Sequence, residues 1–249
     1  MKKRNIIKKI VYPVIWLVIW QVISLLVSNQ IMIVGPYETF LALINLVQTG
    51  DFWISILNTI LRICLGYLLG ITLGILLAYL SYKVKFFEDF LSPLFTFLKA
   101  TPVASFVIIL LIWFGNTNLS FIISTMIVMP IMYSSTLTGL NNTNVKMIEM
   151  SNIYKLKTMD KIRYLYFPEV KPQLVSNMVL SSGMAWKSGV AAEVIAQPLR
   201  TIGNSMYVSK IYLETDKLFA WTIVVILLSK LFELIVKLIF KGGKKHDKT

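Results

Sequence analysis

The sequence predicts an all-α integral membrane protein with six spans. Three observations carry that reading. The chain is 56% hydrophobic and only 15% charged, with mean hydropathy +0.71, so it has too little polar surface to cover a soluble core. Six runs are long and apolar enough to cross about 30 Å of hydrocarbon: 10–27, 54–80, 90–114, 119–140, 174–196 and 218–240. Gaps that hold Lys/Arg alternate with gaps that lack them, the fifth gap being the exception.

The elements follow in order. Five Lys/Arg precede the first run in the basic segment 1–9. The run 10–27 holds two Trp and a Pro and has no small-residue cleavage site, so it reads as a span and not as a cleaved signal. The second span repeats small residues every four positions, Gly66, Gly70, Gly74 and Ala78. That spacing lets another helix approach closely, within the subunit or between subunits. Arg62 in this span and Lys99 in the next read as snorkelling or interfacial cations. Pro102 is expected to break or bend the third span. Stretches 91–99 and 176–188 are the least lipid-like pieces, because both contain polar residues. The fifth span is built from small residues and carries Lys187 and Glu193. Trp186, Val190 and Glu193 share one helical face there, with Lys187 well round from Glu193. Ionisable groups at membrane depth face a cavity or a partner. Trp186 and Glu193 are therefore candidates to line or gate a path, the other reading of Glu193 being a structural hydrogen bond at the interface.

Lys/Arg are absent from 28–53 and from the gap after 114. Lys83 and Lys85 occupy the second gap, and six basic residues lie between Lys146 and Lys171. The tail 241–249 is basic again, while Arg200, Lys210 and Lys217 in the fifth gap are offset by Glu214 and Asp216. The positive-inside rule then puts both termini and the loop 141–172 in the cytoplasm, with 10–240 as one transmembrane unit. A formal charge of +13 is thereby explained by topology, and nucleic acid is not an expected partner. No metal or other cofactor site is expected either: Cys64 is the one cysteine and His246 the one histidine.

Within the loop, Met147, Met150, Ile153 and Tyr154 recur at three- and four-residue intervals, predicting a short helix with one apolar stripe. Thr158 is placed to cap a second short helix with Asp160 in its first turn, and Pro168 to end it. An exposed helix pair with an apolar stripe suits a groove on another protein.

These residues resemble the cytoplasmic "EAA" motif of bacterial ABC-importer permeases. Glu149 takes the Glu, Met150 and Ser151 the two Ala, Lys155 the Gly, Leu165 the aliphatic, Phe167 the apolar position and Pro168 the Pro. "TPVASFVIILLIWFG" (101–115) and "GMAWKSGVAAEVIAQPLRTIGNSM" (183–206) resemble the matching stretches of nitrate/sulfonate/taurine-type permeases, the likeness running over 58–234. Where that family has Gly-Leu-Gly after the fifth helix, this chain keeps only Gly203. The resemblance implies a type I importer permease fold and a second permease chain, as a homodimer in the bacterial plasma membrane and its lipid. It also implies a dimer of separate ATP-binding subunits and an extracytoplasmic solute-binding protein. Glu149 would then pair with a basic group on the ATP-binding subunit, and Met150, Ile153 and Tyr154 would be its apolar knobs. Solutes of the family are small anions such as nitrate, sulfonates and taurine, or thiamine-precursor pyrimidines.

No G-x-x-x-x-G-K-[ST] occurs, so energy has to come from a partner, and no Ser/His, Cys/His or HExxH set suggests an enzyme. An ion-gradient-driven secondary transporter is the alternative. It would need coupling carboxylates at mid-membrane, for which only Glu193 and Glu233 are available, and the two halves show no inverted repeat.

Overall fold

The computed structural model describes residues 2–27, 29 and 31–241; the side chains of the basic N-terminal segment, and the tail beyond Lys241 with His246, lie outside the described residues. Eleven α-helices and one π-helical turn are found among the described residues. They are α1 (Lys2–Val27), α2 (Pro36–Val47), α3 (Gly50–Lys83), α4 (Lys85–Ala100), α5 (Val103–Phe114), α6 (Leu119–Asn141), α7 (Val145–Ile153), α8 (Thr158–Lys161), the π turn (Ile162–Tyr166), α9 (Phe167–Ala196), α10 (Ile202–Ile211) and α11 (Thr215–Lys241).

Five of the six expected spans lie in α1, α3, α6, α9 and α11. The sixth, expected as one run over 90–114, is two helices, α4 and α5, meeting at 106°. Pro102 makes the break: it has no N–H to continue α4, and it holds the preceding Thr101 extended at ψ 133°. By length and composition α3 and α6 are each long and apolar enough to cross a membrane alone, and α4 with α5 passes the same test only as a bent pair, a broken span or a re-entrant loop. Two helices that the periodic pattern did not suggest, α2 and α10, fill the gaps at the end of the bundle opposite the loop. Pro36 starts α2 at its first turn, where a missing N–H costs nothing.

The core is a seam between α3 and α6, onto which α9 packs. The small-residue repeat of α3 lies along this seam, so its close approach is within the chain. A Cβ on Gly66 would sit 2.4 Å from the Phe121 carbonyl oxygen, one on Gly70 2.7 Å from Val128 Cβ, and one on Gly74 2.7 Å from Met129 O and Met132 Cβ. The contact also carries hydrogen bonds. The Thr125 hydroxyl lies 3.1 Å from Gly66 O and 2.9 Å from Phe121 O, and Tyr133 donates to Ser81 Oγ at 3.0 Å. Gly189 continues the pattern on α9, where a Cβ would meet Ile63 at 2.7 Å and Ser124 Oγ at 2.8 Å. α11 closes the other side of α9 through Phe232 and Trp221. α1 leans on this body chiefly at Trp20, which donates to Val34 O at 2.9 Å and stacks on Phe219 at 5.7 Å.

Gly70→Val should destabilise the purified chain by about 2 kcal/mol or more, since overpacked backbone contacts have little room to relax. Gly183→Ala, where nothing lies within 4 Å of the added carbon, should not. Thermal unfolding in detergent compares the two, and equal midpoints would remove the seam from its organising role.

Candidate functional site

Two polar constellations stand out, one at each end of the bundle. The first is the loop. Asn144 caps α7, its Oδ1 accepting from Lys146 N at 2.9 Å. One face of α7 is anchored: Ser151 is 3% exposed and donates to Ile148 O at 2.7 Å, a position with room only for a small residue. Leu165 and Tyr166 are buried with Leu140 and Val170 beneath it. The other face is bare. Met150 is 50% exposed, Ile153 77% and Tyr154 74%. Glu149 also points outward, with no ion pair among the described residues.

Lys155 explains the motif glycine. Its φ is +51°, the left-handed region that costs a side-chain-bearing residue about 1 kcal/mol. Lys155 N donates to Asn152 O at 3.0 Å and Leu156 N to Ser151 O at 3.0 Å, which is the Schellman closure of a helix with a left-handed residue just past its end. The backbone keeps the glycine conformation although the glycine is gone. Lys161 Nζ ties α8 back to α7 through Asn152 Oδ1.

The expectation that Pro168 ends the second short helix is corrected. Thr158 also proves to be the first residue of α8 and not its cap. From α8 the chain stays helical through the π turn into α9, with Phe167 N bonded to Ile162 O. Pro168 occupies the first turn of α9, and the widened π turn ahead of it absorbs a ring that would clash in a regular helix. The loop is thus joined without a break in helical structure to α9, the span that carries Lys187 and Glu193. Phe167 stays 52% exposed.

The second constellation is buried around Glu193. Its Oε2 accepts from Thr59 Oγ1 of α3 at 2.8 Å and from Gly203 N of α10 at 3.2 Å. Thr59 Oγ1 in turn accepts from Ile202 N at 3.0 Å, and Asn58 donates to Arg200 O at 2.9 Å. Gly203 has to be glycine here, because a Cβ would lie 2.3 Å from Glu193 Cβ. The turn joining α9 to α10 is therefore tight despite its missing glycines; Gln197 and Arg200 supply its left-handed residues, at φ 53° and 55°. Ser120 of α6 and Arg62 of α3 lie beside the carboxylate. Arg62 thus turns inward, contrary to its expected snorkelling. Glu193 Oε1, Ser120 Oγ and Arg62 Nη1 are buried without another hydrogen-bond partner among the described residues.

The expected path residues sit as follows. Trp186 is 1% exposed, Val190 5% and Glu193 0%. All three face the interior of one chain, Trp186 packing edge-on to Phe232 at 6.2 Å. Pro102 is exposed at the α4–α5 break, and Lys99 just before it donates to Ser134 Oγ of α6. The sequence reading picked Glu193 but not Thr59; the Asn58–Thr59 pair inside an apolar run was the available signal.

A helical membrane body with a capped, outward-facing loop helix of this motif spacing defines the permease class of transport proteins. A family model described as "Binding-protein-dependent transport system inner membrane component" matches residues 70–244, and the chain belongs to that family. It is 26% identical over 206 residues, 82% of this chain and 74% of the other, to the protein of Bacillus subtilis (strain 168) described as an aliphatic sulfonates transport permease, SsuC. It is 27% identical over 144 residues, 57% of this chain and 51% of the other, to the nitrate import permease protein NrtB of Synechococcus elongatus. The fold matches a chain from the crystal structure of a bacterial ABC transporter involved in import of the acidic polysaccharide alginate. The TM-score is 0.64 over 98% of this chain and 100% of that one, at 16% identity. The chain is a multi-pass inner-membrane permease of the ABC-importer type, not a secondary transporter. The family implies an ATP-binding subunit and a solute-binding protein as its partners.

Substitutions at two positions test the geometry. Lys155→Gly should relieve about 1 kcal/mol of left-handed strain, seen as several-fold slower hydrogen exchange of the α7 amides; unchanged exchange would mean the closure does not limit α7. Glu193→Gln keeps an acceptor for Thr59 and Gly203, so it should cost about 1 kcal/mol, and Glu193→Ala about 3 kcal/mol. Equal losses in thermal midpoint would show that the charge and not the hydrogen-bond geometry holds α9 to α10.

Proposed function

We propose that this chain is the membrane subunit of an ATP-driven importer for a small anionic solute of the sulfonate or nitrate class, working as a homodimer. The capped α7, with Met150, Ile153 and Tyr154 bare on a fixed backbone, is the observation that carries the reading. An apolar face of this kind on a charged loop suits a cleft in a separate ATP-binding subunit, with Glu149 set to meet a basic group there. The solute class rests on the relatives described as sulfonate and nitrate permeases.

The loop and both termini are assigned to the cytoplasm by the alternation of basic gaps. α2, α10 and the 197–201 turn then face outward, where a solute-binding protein docks. Closure of the ATP-binding subunits on ATP displaces α7. The unbroken path from α8 through the π turn carries that displacement into α9, and the Glu193 bonds hand it on to α3 and α10. Trp186 serves this as a packing residue that makes α9 and α11 move together. Transport of this kind needs two alternating states that the ATP-binding subunits bias, and the loop is where the bias enters.

Replacing Ile153 and Tyr154 together by Asp places charge in the proposed cleft, at a cost of several kcal/mol. The variant should insert and fold as the parent does but lose its ATP-binding subunit on gentle purification. An intact and fully active complex carrying both changes would remove α7 from the interface.

A further inference from the structure

Three cationic side chains lie inside the long helices and away from their ends, Arg62, Lys187 and Lys230, and a fourth, Lys99, lies in the last turn of α4 at the break with α5. One of them has an ion pair among the described residues, Lys230 with Glu233 at 2.7 Å. Arg62 turns inward on the side of Glu193, its Nη1 buried. Lys99 and Lys187 are exposed and have no carboxylate within salt-bridge distance among the described residues. Lys99 finds only the Ser134 hydroxyl. An unmatched lysine at membrane depth is costly, and such residues mark substrate pathways.

Snorkelling does not account for Lys187. It stands nine residues before the end of α9 at Ala196, about 14 Å along the helix, further than its four-carbon stem extends. It is surrounded on its own helix by the buried Ala185, Trp186, Ser188, Gly189 and Val190, yet it is exposed, on one stripe with Leu180 (58% exposed) and Met184 (43%). Lys99 precedes the Thr101–Pro102 break between α4 and α5, and its bond to Ser134 turns the amine toward α6.

The two lysines border one face of the chain. Asn177, at the edge of the exposed stripe of α9, donates to Ser135 Oγ at 3.0 Å, and Ser135 adjoins the Ser134 that holds Lys99. Lys187 lies ten residues further along α9, about 15 Å by helix rise. This face therefore presents two successive positive charges, with no carboxylate within salt-bridge distance of either among the described residues.

We propose that this face lines the translocation path, with Lys99 and Lys187 as two successive charge partners for a small monoanion. The proposal rests on the permease reading above and adds the residues that select the solute by charge. An anion leaving water loses its hydration, and a fixed ammonium in a low-dielectric wall offsets that loss. Two stations let the anion pass from one cation to the next without a neutral gap, and Ser134 adds a hydroxyl donor at the first.

The test uses the complete transporter in lipid vesicles, with Cys64→Ala as background. Nitrate and methanesulfonate uptake should fall at least tenfold in Lys99→Gln and in Lys187→Gln, and stay within about threefold of the parent in the Arg variants. Lys99→Cys and Lys187→Cys should react with a charged, membrane-impermeant thiosulfonate reagent. Thiols that stay unreactive while the parent transports would place both residues in lipid and overturn the proposal alone. Reactive thiols with undiminished uptake in the Gln variants would overturn the charge role. A parent that carries neither anion would overturn the solute class proposed above and, with it, the lysines as anion partners, while reactive thiols would still place them on a water-filled path.

Discussion

The backbone contact of α3 with α6 along Gly66, Gly70 and Gly74 is the constraint on which the rest of the structure depends. Helices in a membrane gain nothing from expelling lipid as helices in water gain from expelling solvent, so close van der Waals contact and hydrogen bonds have to hold them. The seam supplies both, with Thr125 bridging the two backbones. Once α6 is fixed against α3, Gly189 brings α9 down onto the same pair, against Ile63 and Ser124. That placement carries Glu193 into reach of Thr59 and of the first turn of α10. A carboxylate at this depth holds three helices together because water is not there to compete for it.

The same body serves the loop at its other end. α9 is one continuous rod from Phe167 to Ala196 and is entered through a π turn, so the motif at its start and the Glu193 node near its finish belong to a single lever. The left-handed Lys155 makes the corresponding economy at α7. A strained closure is kept where the chain has to reverse immediately after presenting Ile153 and Tyr154. Strain of about 1 kcal/mol is small beside the loss of a defined exposed face on α7.

Much of the fold was legible in the sequence because apolar runs of membrane length have few alternatives; the fourth run, 119–140, is α6 to within a residue. α2 and α10 were not legible, since short helices without a clear stripe owe their existence to packing against α11 and α9. Pro102 announced a break but not its 106° angle, which depends on what α5 packs against: Leu119, Ile123 and Ala192. Pro168 misled for a related reason, because a π turn can absorb a proline that a regular helix rejects. At the site, the resemblance to the permease motif pointed to Ser151, Lys155 and Leu165, and the three- and four-residue spacing to the stripe of Met150, Ile153 and Tyr154 that is bare in the fold. The partners of Glu193 were hidden, Thr59 lying 134 positions away, and the burial of Trp186 by α11 is a tertiary fact with no local mark.

The central claim is that α7 is the surface through which an ATP-binding subunit moves this chain. Disulfide trapping measures it most directly, with Ile153→Cys in a Cys64→Ala background set against single cysteines placed in the cleft of the ATP-binding subunit purified with it. The account predicts rapid crosslinking from position 153, with a yield that changes when ATP is bound, and none from Tyr212→Cys at the opposite end of the bundle. A thiol at position 153 that never crosslinks in an assembled complex, or one that does so no faster than position 212, would contradict it.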